Sequence, residues 1–231
     1  MRKIFTVLIV IAITVILSAL LISQADAKPL TFDQRVTAHI RTGGTVGTQG
    51  LSQWELYRYK TVTLPKKYPM CLAPWESYVA IDRLVTVSAI KDRNTLTIDP
   101  ELYRSIQPIA EQNRAKAKTI LRTYKVRGKG RKAVKTVRRY VRTGKYIVGV
   151  KSAGDFFDQH GGDCAAHAAA LYVLCKVQGI PVRYVIGRGK MGGLHAWNRV
   201  KYGHRWYWVD ETWGMSPARK LWDGYIVMEY W

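Results

Sequence analysis

Apolar residues recur with a helical period in the middle of the chain. A first helix is predicted from Pro100 to Leu121, and residues 126–132, with two glycines and four cations, interrupt the pattern. A second helix follows, with Gly144 as its C-terminal cap. The expected buried faces are Leu102, Ile106, Ile109, Ala110, Ala117, Ile120 and Leu121 in the first helix, and Ala133, Val134, Val137, Tyr140 and Val141 in the second.

Residues 28–100 show a different pattern, with short apolar and β-branched runs. Strands are predicted at 61–64, 77–81 and 84–90, and the glycine-rich segment Thr42–Gly50 is predicted to be a flexible loop. No catalytic pattern occurs in this region. It is interpreted as a small β-rich extension, either a layer or a mobile arm.

The segment that begins at Gly161-Gly162 predicts a helix with a cysteine in its first turn. Asp163 is a natural N-cap, the helix runs to Gly179, and a strand follows at Val182–Gly187. Free N–H groups and the helix dipole at this end favour a thiolate at Cys164. One face, expected to be the buried one, carries Cys164, Ala168, Leu171 and Cys175.

A β-hairpin is predicted from the alternating residues that follow. With Tyr202-Gly203 as its loop, His195 lies directly opposite Asp210, and Glu211 points to the other face. The carboxylate is then expected to hold Nδ1–H of His195 and to leave Nε2 toward a thiol. The hypothesis is a Cys-His-Asp triad with Cys164 as nucleophile, His195 as base and Asp210 as the residue that orients His195.

The N-terminus predicts export. Arg2 and Lys3 precede the apolar run Ile4–Ser23, and Ala25-Asp26-Ala27 is typical of a cleavage site. The run is also long enough, at about 30 Å, to remain as a membrane anchor. Residues 1–27 are therefore interpreted as a signal peptide or an anchor, and the rest of the chain is expected to be extracellular or at the cell surface.

Charge and cysteine content limit which partners, metals and cofactors are expected. The formal net charge is +21, and residues 112–154 contain fifteen Lys or Arg and no acidic residue. Residues 114–151 are interpreted as a surface for an anionic cell-wall polymer or lipid headgroups, with a solvated helical face as the alternative, and export disfavours nucleic acid. Three cysteines without C-x-x-C or zinc spacing predict no metal and no cofactor, and leave a Cys71–Cys175 pair open.

The segments GGDCAAHAAALYVLCKVQGIPVRYVIG, HAWNRV and WYWVDETW resemble the transglutaminase-like superfamily. The resemblance covers about residues 100–231 and implies an α+β, papain-like fold, in which a Cys helix packs on an antiparallel sheet carrying His and Asp. It places the catalytic domain at 101–231, after the extension at 28–100. It also implies attack of Cys164 on an amide carbonyl, with His195 later protonating the leaving amine.

Members of this family usually add a side-chain oxyanion donor, often Trp, before the cysteine. Here the nearest upstream tryptophan is Trp75. Tyr146, Gln159 and His160 are the replacement candidates, and Trp197 is a candidate for contact with substrate. His167 is expected on the helix surface, with contact to substrate as the alternative.

The expected function is an exported peptidase or amidase acting on protein or cell-wall peptide. A crosslinking acyl transferase and a non-catalytic basic protein that binds wall or membrane are the alternatives. A peptidoglycan endopeptidase of the Asp-Cys-Ser-Gly type fits the residues around His195 and Asp210 less well.

Overall fold

The structure is a computed structural model and describes residues 30–39, 42–48, 50–63, 85–90 and 93–230. The chain divides into two compact units, residues 1–38 and residues 39–231. Of the first unit the structure describes residues 30–38, most of which belong to helix α1 (Phe32–His39). The predicted signal or anchor at 1–27 lies outside the described residues. Within the described ranges, no helix is both long and apolar enough to span a membrane.

The second unit contains helices α2–α6 and strands β1–β10. The helices are α2 (Gln53–Arg58), α3 (Pro100–Thr123), α4 (Arg131–Arg142), α5 (Ala153–Gln159) and α6 (Cys164–Gln178). The strands are β1 (Gly44–Gly47), β2 (Val85–Ile90), β3 (Arg93–Ile98), β4 (Lys145–Tyr146), β5 (Gly161–Gly162), β6 (Val182–Arg188), β7 (Leu194–Tyr202), β8 (Arg205–Asp210), β9 (Met215–Ala218) and β10 (Ile226–Tyr230). The fold class is α+β, as predicted.

The N-terminal part of this unit holds a three-stranded antiparallel sheet of order β1-β3-β2. The strand predicted at 84–90 is present from Val85, whereas 77–81 lies outside the described residues. The loop predicted at Thr42–Gly50 was wrong in part, because β1 lies within it and buries Val46. Backbone pairing with β3 makes this segment a strand, which its glycine-rich composition does not predict.

The strand predicted at 61–64 was wrong, because Tyr59–Thr63 is a π-helical turn that continues α2. Ser52 and Glu55 form a reciprocal capping box at the start of α2. A helix nucleated there extends through β-branched residues whose own preference is for strands. Local helix initiation therefore outweighs β-propensity in this segment.

The two helices predicted from periodicity are α3 and α4. All five apolar residues expected on the inner face of α4 are buried. Ile109 of α3 is instead 47% exposed, although Ala117 and Leu121 are buried. The C-cap of α4 is Thr143 rather than Gly144. Gly144 follows the cap, where a Cβ would lie 2.5 Å from the Phe156 ring.

Helix α6 lies at the centre of the main core. Helices α3, α4 and α5 pack against it, and it also contacts strands β6 and β7 of a five-stranded antiparallel sheet of order β10-β6-β7-β8-β9. The single buried face predicted for α6 was therefore wrong. Residues 166–171 and 173–175 are all buried, because partners surround the helix.

Candidate active site

Cys164 lies in the first turn of α6, as predicted. The Asp163 side chain caps the helix by accepting hydrogen bonds from the backbone N–H groups of Ala165 at 2.9 Å and Ala166 at 3.3 Å. The short parallel pair β4–β5 brings Lys145 and Tyr146 beside the preceding glycines. A Cβ on Gly162 would lie 2.3 Å from Cβ of Ala166, so this approach requires glycine.

Two side chains of the sheet anchor the cysteine end of α6. The Tyr184 hydroxyl donates to the carbonyl of Ala165 at 3.3 Å, and Asn198 Nδ2 donates to the carbonyl of Ala168 at 3.1 Å. Asn198 lies on β7, three residues from His195. These bonds set the position of the helix relative to the strand that carries His195.

The hairpin β7–β8 differs in register from the prediction. Arg199 pairs with Trp208 and Tyr202 with Arg205, so the loop is Gly203-His204, one residue later than expected. Gly203 has φ +61°, whereas His204 is not in the left-handed region, as in a type II′ turn. Each residue of β7 is consequently paired two positions further along β8.

A two-residue slip preserves the face of every side chain, because strand side chains alternate with period two. His195 and Asp210 are therefore diagonal rather than directly opposite neighbours, yet they still meet. His195 Nε2 lies 2.7 Å from Oδ2 of Asp210, and both groups are buried. The predicted ring orientation was wrong, since Nε2 rather than Nδ1 contacts the carboxylate. Nδ1 is the nitrogen left for the Cys164 thiol, with which His195 also interacts.

Asp210 is held from several sides. Its Oδ1 accepts hydrogen bonds from the backbone N–H groups of Thr212 and Trp213 at 3.1 and 3.3 Å. Its Oδ2 accepts the Tyr225 hydroxyl at 2.9 Å in addition to His195. Burial and the neighbouring carboxylate raise the pKa of Tyr225, so its hydroxyl remains a donor. The orientation of Asp210 is consequently determined by four donors.

The pKa of His195 is raised above its ordinary value. Burial acts to lower its pKa, but hydrogen bonds with Asp210 and Cys164 and the charges of these two groups together raise the pKa to about 9. At pH 7, His195 is therefore mainly an imidazolium. The Cys164 thiol therefore has a cationic neighbour with which it interacts.

This pKa predicts a pH-dependent stability. The folded pKa of about 9 exceeds the unfolded value of 6.5, so the contribution of His195 is complete below pH 6.5 and is lost as pH rises to 9. We expect the free energy of unfolding of the wild type, minus that of His195→Gln, to fall in this window by at most ~1.4 kcal/mol per pH unit. Urea unfolding at pH 6, 7, 8 and 9 measures it. A difference independent of pH would contradict this prediction.

Cys164 and His195 line one cavity of about 520 Å³. Tyr225 forms part of the wall beside His195, and Asp210 lies behind His195 with 1% of its surface exposed. The remaining large apolar side chains of the lining are Tyr146, Met191, Leu194, Trp213 and Met215. A substrate that reaches the thiol must therefore pass between apolar side chains.

The four other predicted site residues differ in whether they line the cavity. Tyr146 lines the cavity and is 60% exposed. Gln159 is an exposed residue at the end of α5, and His160 stacks on Tyr140 while its Nε2 lies 3.1 Å from the Tyr140 carbonyl. Trp197 is 1% exposed and stacks on His195 with ring centroids 5.7 Å apart. Of the four, Tyr146 is the one placed in the cavity wall.

His167 was expected on the surface of α6, and this was wrong. It is 3% exposed, its Nδ1 lies 3.0 Å from the Asp163 carbonyl, and its ring packs edge-on against Phe156. Contacts with α5 bury this side of the helix. His167 thus belongs to the structural support of the cysteine turn.

Sequence reasoning missed Tyr225 and the loop at 189–193. Tyr225 comes from a segment fifteen residues after Asp210 without a motif of its own. The loop carried a signal in its three glycines, of which Gly189 approaches His195 so closely that a Cβ would lie 3.2 Å from the imidazole. A glycine next to a candidate catalytic strand is a sign of close backbone approach.

Part of the chain is similar in sequence to a known family and in structure to solved proteins. Residues 114–211 match the family model of the transglutaminase-like superfamily. Similar solved structures include a proposed cysteine protease from Cytophaga hutchinsonii, with 16% identity, TM-score 0.42 and coverage of 60% of this chain and 56% of that chain. A TGase has 14% identity, TM-score 0.38 and coverage of 55% and 43%. Calcium-bound LapG of Legionella pneumophila has 12% identity, TM-score 0.38 and coverage of 56% and 75%.

The chain spans 56% and 43% of the lengths of the first two of these structures. No curated protein matches it in sequence. The family match contains α6 with Cys164 and the hairpin with His195 and Asp210, within the range 101–231 predicted from the motifs. Residues 114–211 are therefore similar in sequence to the transglutaminase-like superfamily.

Proposed function

We propose that this protein is a thiol enzyme that attacks amide bonds, with Cys164 as nucleophile, His195 as acid and base, and Asp210 as the residue that orients His195. One observation carries the proposal. Cys164, at the N-terminus of a buried helix, and His195, whose Nε2 is held at 2.7 Å by Asp210, open into the same cavity. Nucleophile, base and orienting group thus follow one another in contact.

The proposed reaction begins from the thiolate–imidazolium pair. The Cys164 sulfur forms a bond to the amide carbonyl carbon, and the carbonyl oxygen becomes an oxyanion. The carbon–nitrogen bond then breaks as Nδ1 of His195 gives its proton to the leaving amine, which leaves a thioester. Water attacks the thioester and gives a proton to His195, the carbon–sulfur bond breaks, and a carboxylic acid and the thiolate result.

The oxyanion requires preorganised donors. In the first turn of α6 the N–H groups of Ala165, Ala166 and His167 are bonded to Asp163, whereas no bond engages the N–H of Cys164 among the described residues. We assign that N–H as one donor. The Tyr146 hydroxyl in the cavity wall is the candidate for the other.

We further propose hydrolysis of protein or cell-wall peptide outside the cytoplasm, as the N-terminal sequence indicates. Transfer of the acyl group to a lysine amine, which forms a crosslink, is the alternative outcome. Mass spectrometry of an acylated enzyme with and without added amine distinguishes a free carboxylate product from a new amide.

The basic residues 114–151 support a proposed anionic wall polymer or lipid surface as partner. Lys118, Arg122, Lys125 and Arg127 line a groove of about 510 Å³ between the end of helix α3, the turn after it and the C-terminal end of α6. Four cations on one groove favour a polyanion, and such binding weakens with salt. Salt-sensitive binding that survives Cys164→Ala, together with an inert thiol, would favour the non-catalytic alternative.

Alkylation of Cys164 tests the catalytic proposal. At pH 6.5 an ordinary thiol, with a pKa near 8.5, is only about 1% ionised. We expect iodoacetamide to label Cys164 of the full chain, in detergent, roughly 30- to 100-fold faster than Cys164 of His195→Ala. Peptide mass spectrometry separates Cys164 from Cys175, whose pKa burial raises and which is fully buried.

His204→Ala is the matched control, because His204 is an exposed histidine in the loop of the same hairpin. It is expected to leave the alkylation rate unchanged. Equally slow labelling of Cys164 in wild type and His195→Ala would overturn the proposal.

A further inference from the structure

Five apolar side chains form one wall of the Cys164 cavity. We call this set the apolar wall; its members are Tyr146, Met191, Leu194, Trp213 and Met215. They come from three separate segments of the chain, and four of them are strongly exposed: Tyr146 60%, Met191 88%, Leu194 74% and Trp213 60%. Single exposed apolar residues are common on protein surfaces, but a contiguous set around a nucleophile is a feature of binding sites.

Backbone hydrogen bonds hold the loop that carries Met191 of the apolar wall. The Gly189 N–H donates to the Gly193 carbonyl at 3.0 Å, and the Gly192 N–H donates to the Gly189 carbonyl at 2.8 Å. These bonds close the loop that carries Met191, and Gly189 lies against the His195 ring. The loop therefore presents the exposed Met191 side chain to the cavity that Cys164 and His195 also line.

The charges of the lining are sparse and of one sign. Among the described residues, Lys190 is the only charged side chain of the cavity lining apart from His195, and none of them places a carboxylate in that lining. This described lining therefore offers a cationic substrate side chain no carboxylate. An uncharged apolar side chain would displace water from the apolar wall and gain free energy.

We propose that the apolar wall binds a large apolar side chain, aromatic or branched aliphatic, on the acyl part of the substrate. This inference rests on the proposed function. In a thioester intermediate the acyl group is bonded to the Cys164 sulfur, so its side chain must lie within this cavity. The apolar wall is the surface there that such a side chain covers, and it selects the substrate through the apolar area that it removes from water.

Two chloroacetamides of equal chemical reactivity test the proposal. In both, the Cys164 sulfur forms a bond to the methylene carbon and chloride leaves, but one reagent carries a 2-phenylethyl group and the other a 2-hydroxyethyl group. The rate ratio of the two reagents, divided by the same ratio for glutathione, measures selectivity in each protein. We expect a ratio of at least 10 in the wild type, equivalent to 1.4 kcal/mol, and a fall to about 1–3 in Trp213→Ala and Met191→Ala.

Met228→Ala is the matched control, since Met228 is 58% exposed on β10 and does not line the cavity. It should keep the wild-type ratio. A wild-type ratio near 1, or a high ratio that neither Met191→Ala nor Trp213→Ala lowers, would overturn the proposal. Failure of the proposed function is a different result, namely iodoacetamide labelling that is slow and independent of His195. Met191 is almost fully exposed, so its variant is expected to fold, and thermal unfolding checks this.

Discussion

Asp210→Asn is expected to slow acylation of Cys164 by a p-nitroanilide about 10³- to 10⁴-fold. Oδ1 of Asp210 accepts two backbone N–H groups, so the amide oxygen of asparagine takes that position. The NH₂ group then faces His195 and Tyr225, both of which donate to the carboxylate in the wild type. His195 Nε2 must become an acceptor, which moves the proton to Nδ1 and removes the positive charge. The thiol loses its base and the leaving amine loses its acid.

A pair of substrates separates these two losses. A p-nitrophenyl ester with the same acyl group has a leaving group that needs no proton, so its acylation should fall much less than that of the anilide. Asp158→Asn is the control, because Asp158 is an exposed carboxylate paired with Lys116 and undergoes the same change of charge. If both substrates lose the same small factor in Asp210→Asn and in Asp158→Asn, Asp210 does not orient His195.

Arg138→Met is expected to lower the free energy of unfolding by about 3–5 kcal/mol at pH 9, where Glu211 is ionised in the wild type. Arg138 pairs through Nε with Oε1 of Glu211, whose side chain is 1% exposed, and Nη2 donates to the Met215 carbonyl at 2.9 Å. Burial, opposed by Arg138 and Arg142, raises the pKa of Glu211 to about 7. Without Arg138, a buried carboxylate loses its main partner and must be protonated or exposed.

Urea unfolding at pH 9 of wild type, Arg138→Met and Arg139→Met measures this effect. Arg139 is the exposed neighbour on α4, so its variant should lie within about 0.5 kcal/mol of the wild type. The loss in Arg138→Met should shrink as pH falls from 9 through 7, since protonated Glu211 needs no cation. Combining Arg138→Met with Glu211→Leu should recover most of the stability. A loss below 1 kcal/mol at pH 9 would show that Glu211 does not depend on Arg138.

Local chemistry explains what could be predicted of the fold. Asp163 caps α6, and the inner face of α4 follows from 3.6-residue periodicity, because both depend on residues within a few positions of each other. The predicted strand at 61–64 failed for the converse reason. Its residues favour strands, but the capped helix upstream determined their structure. Propensity is decisive only where neighbouring elements do not compete.

In the candidate site, too, some features could be predicted from the sequence and others depend on tertiary packing. Alternation placed His195 and Asp210 on one face, and this survived a register error of two residues because the period of a strand is two. The prediction of which His195 nitrogen contacts the carboxylate was wrong, because the ring orientation depends on where α6 packs against β7. Tyr225 was missed because it reaches Asp210 from a segment that carries no motif.

The sequence by itself determined the similarity of residues 114–211 to the transglutaminase-like superfamily, the helix that begins at Cys164 and the shared face of His195 and Asp210. These follow from caps, periods and short motifs, which act over a few residues. Only the tertiary structure decided the ring orientation of His195, the burial of His167, the Arg138–Glu211 pair and the apolar wall. Each of these depends on the simultaneous packing of elements far apart in the chain, and no local pattern encodes such packing.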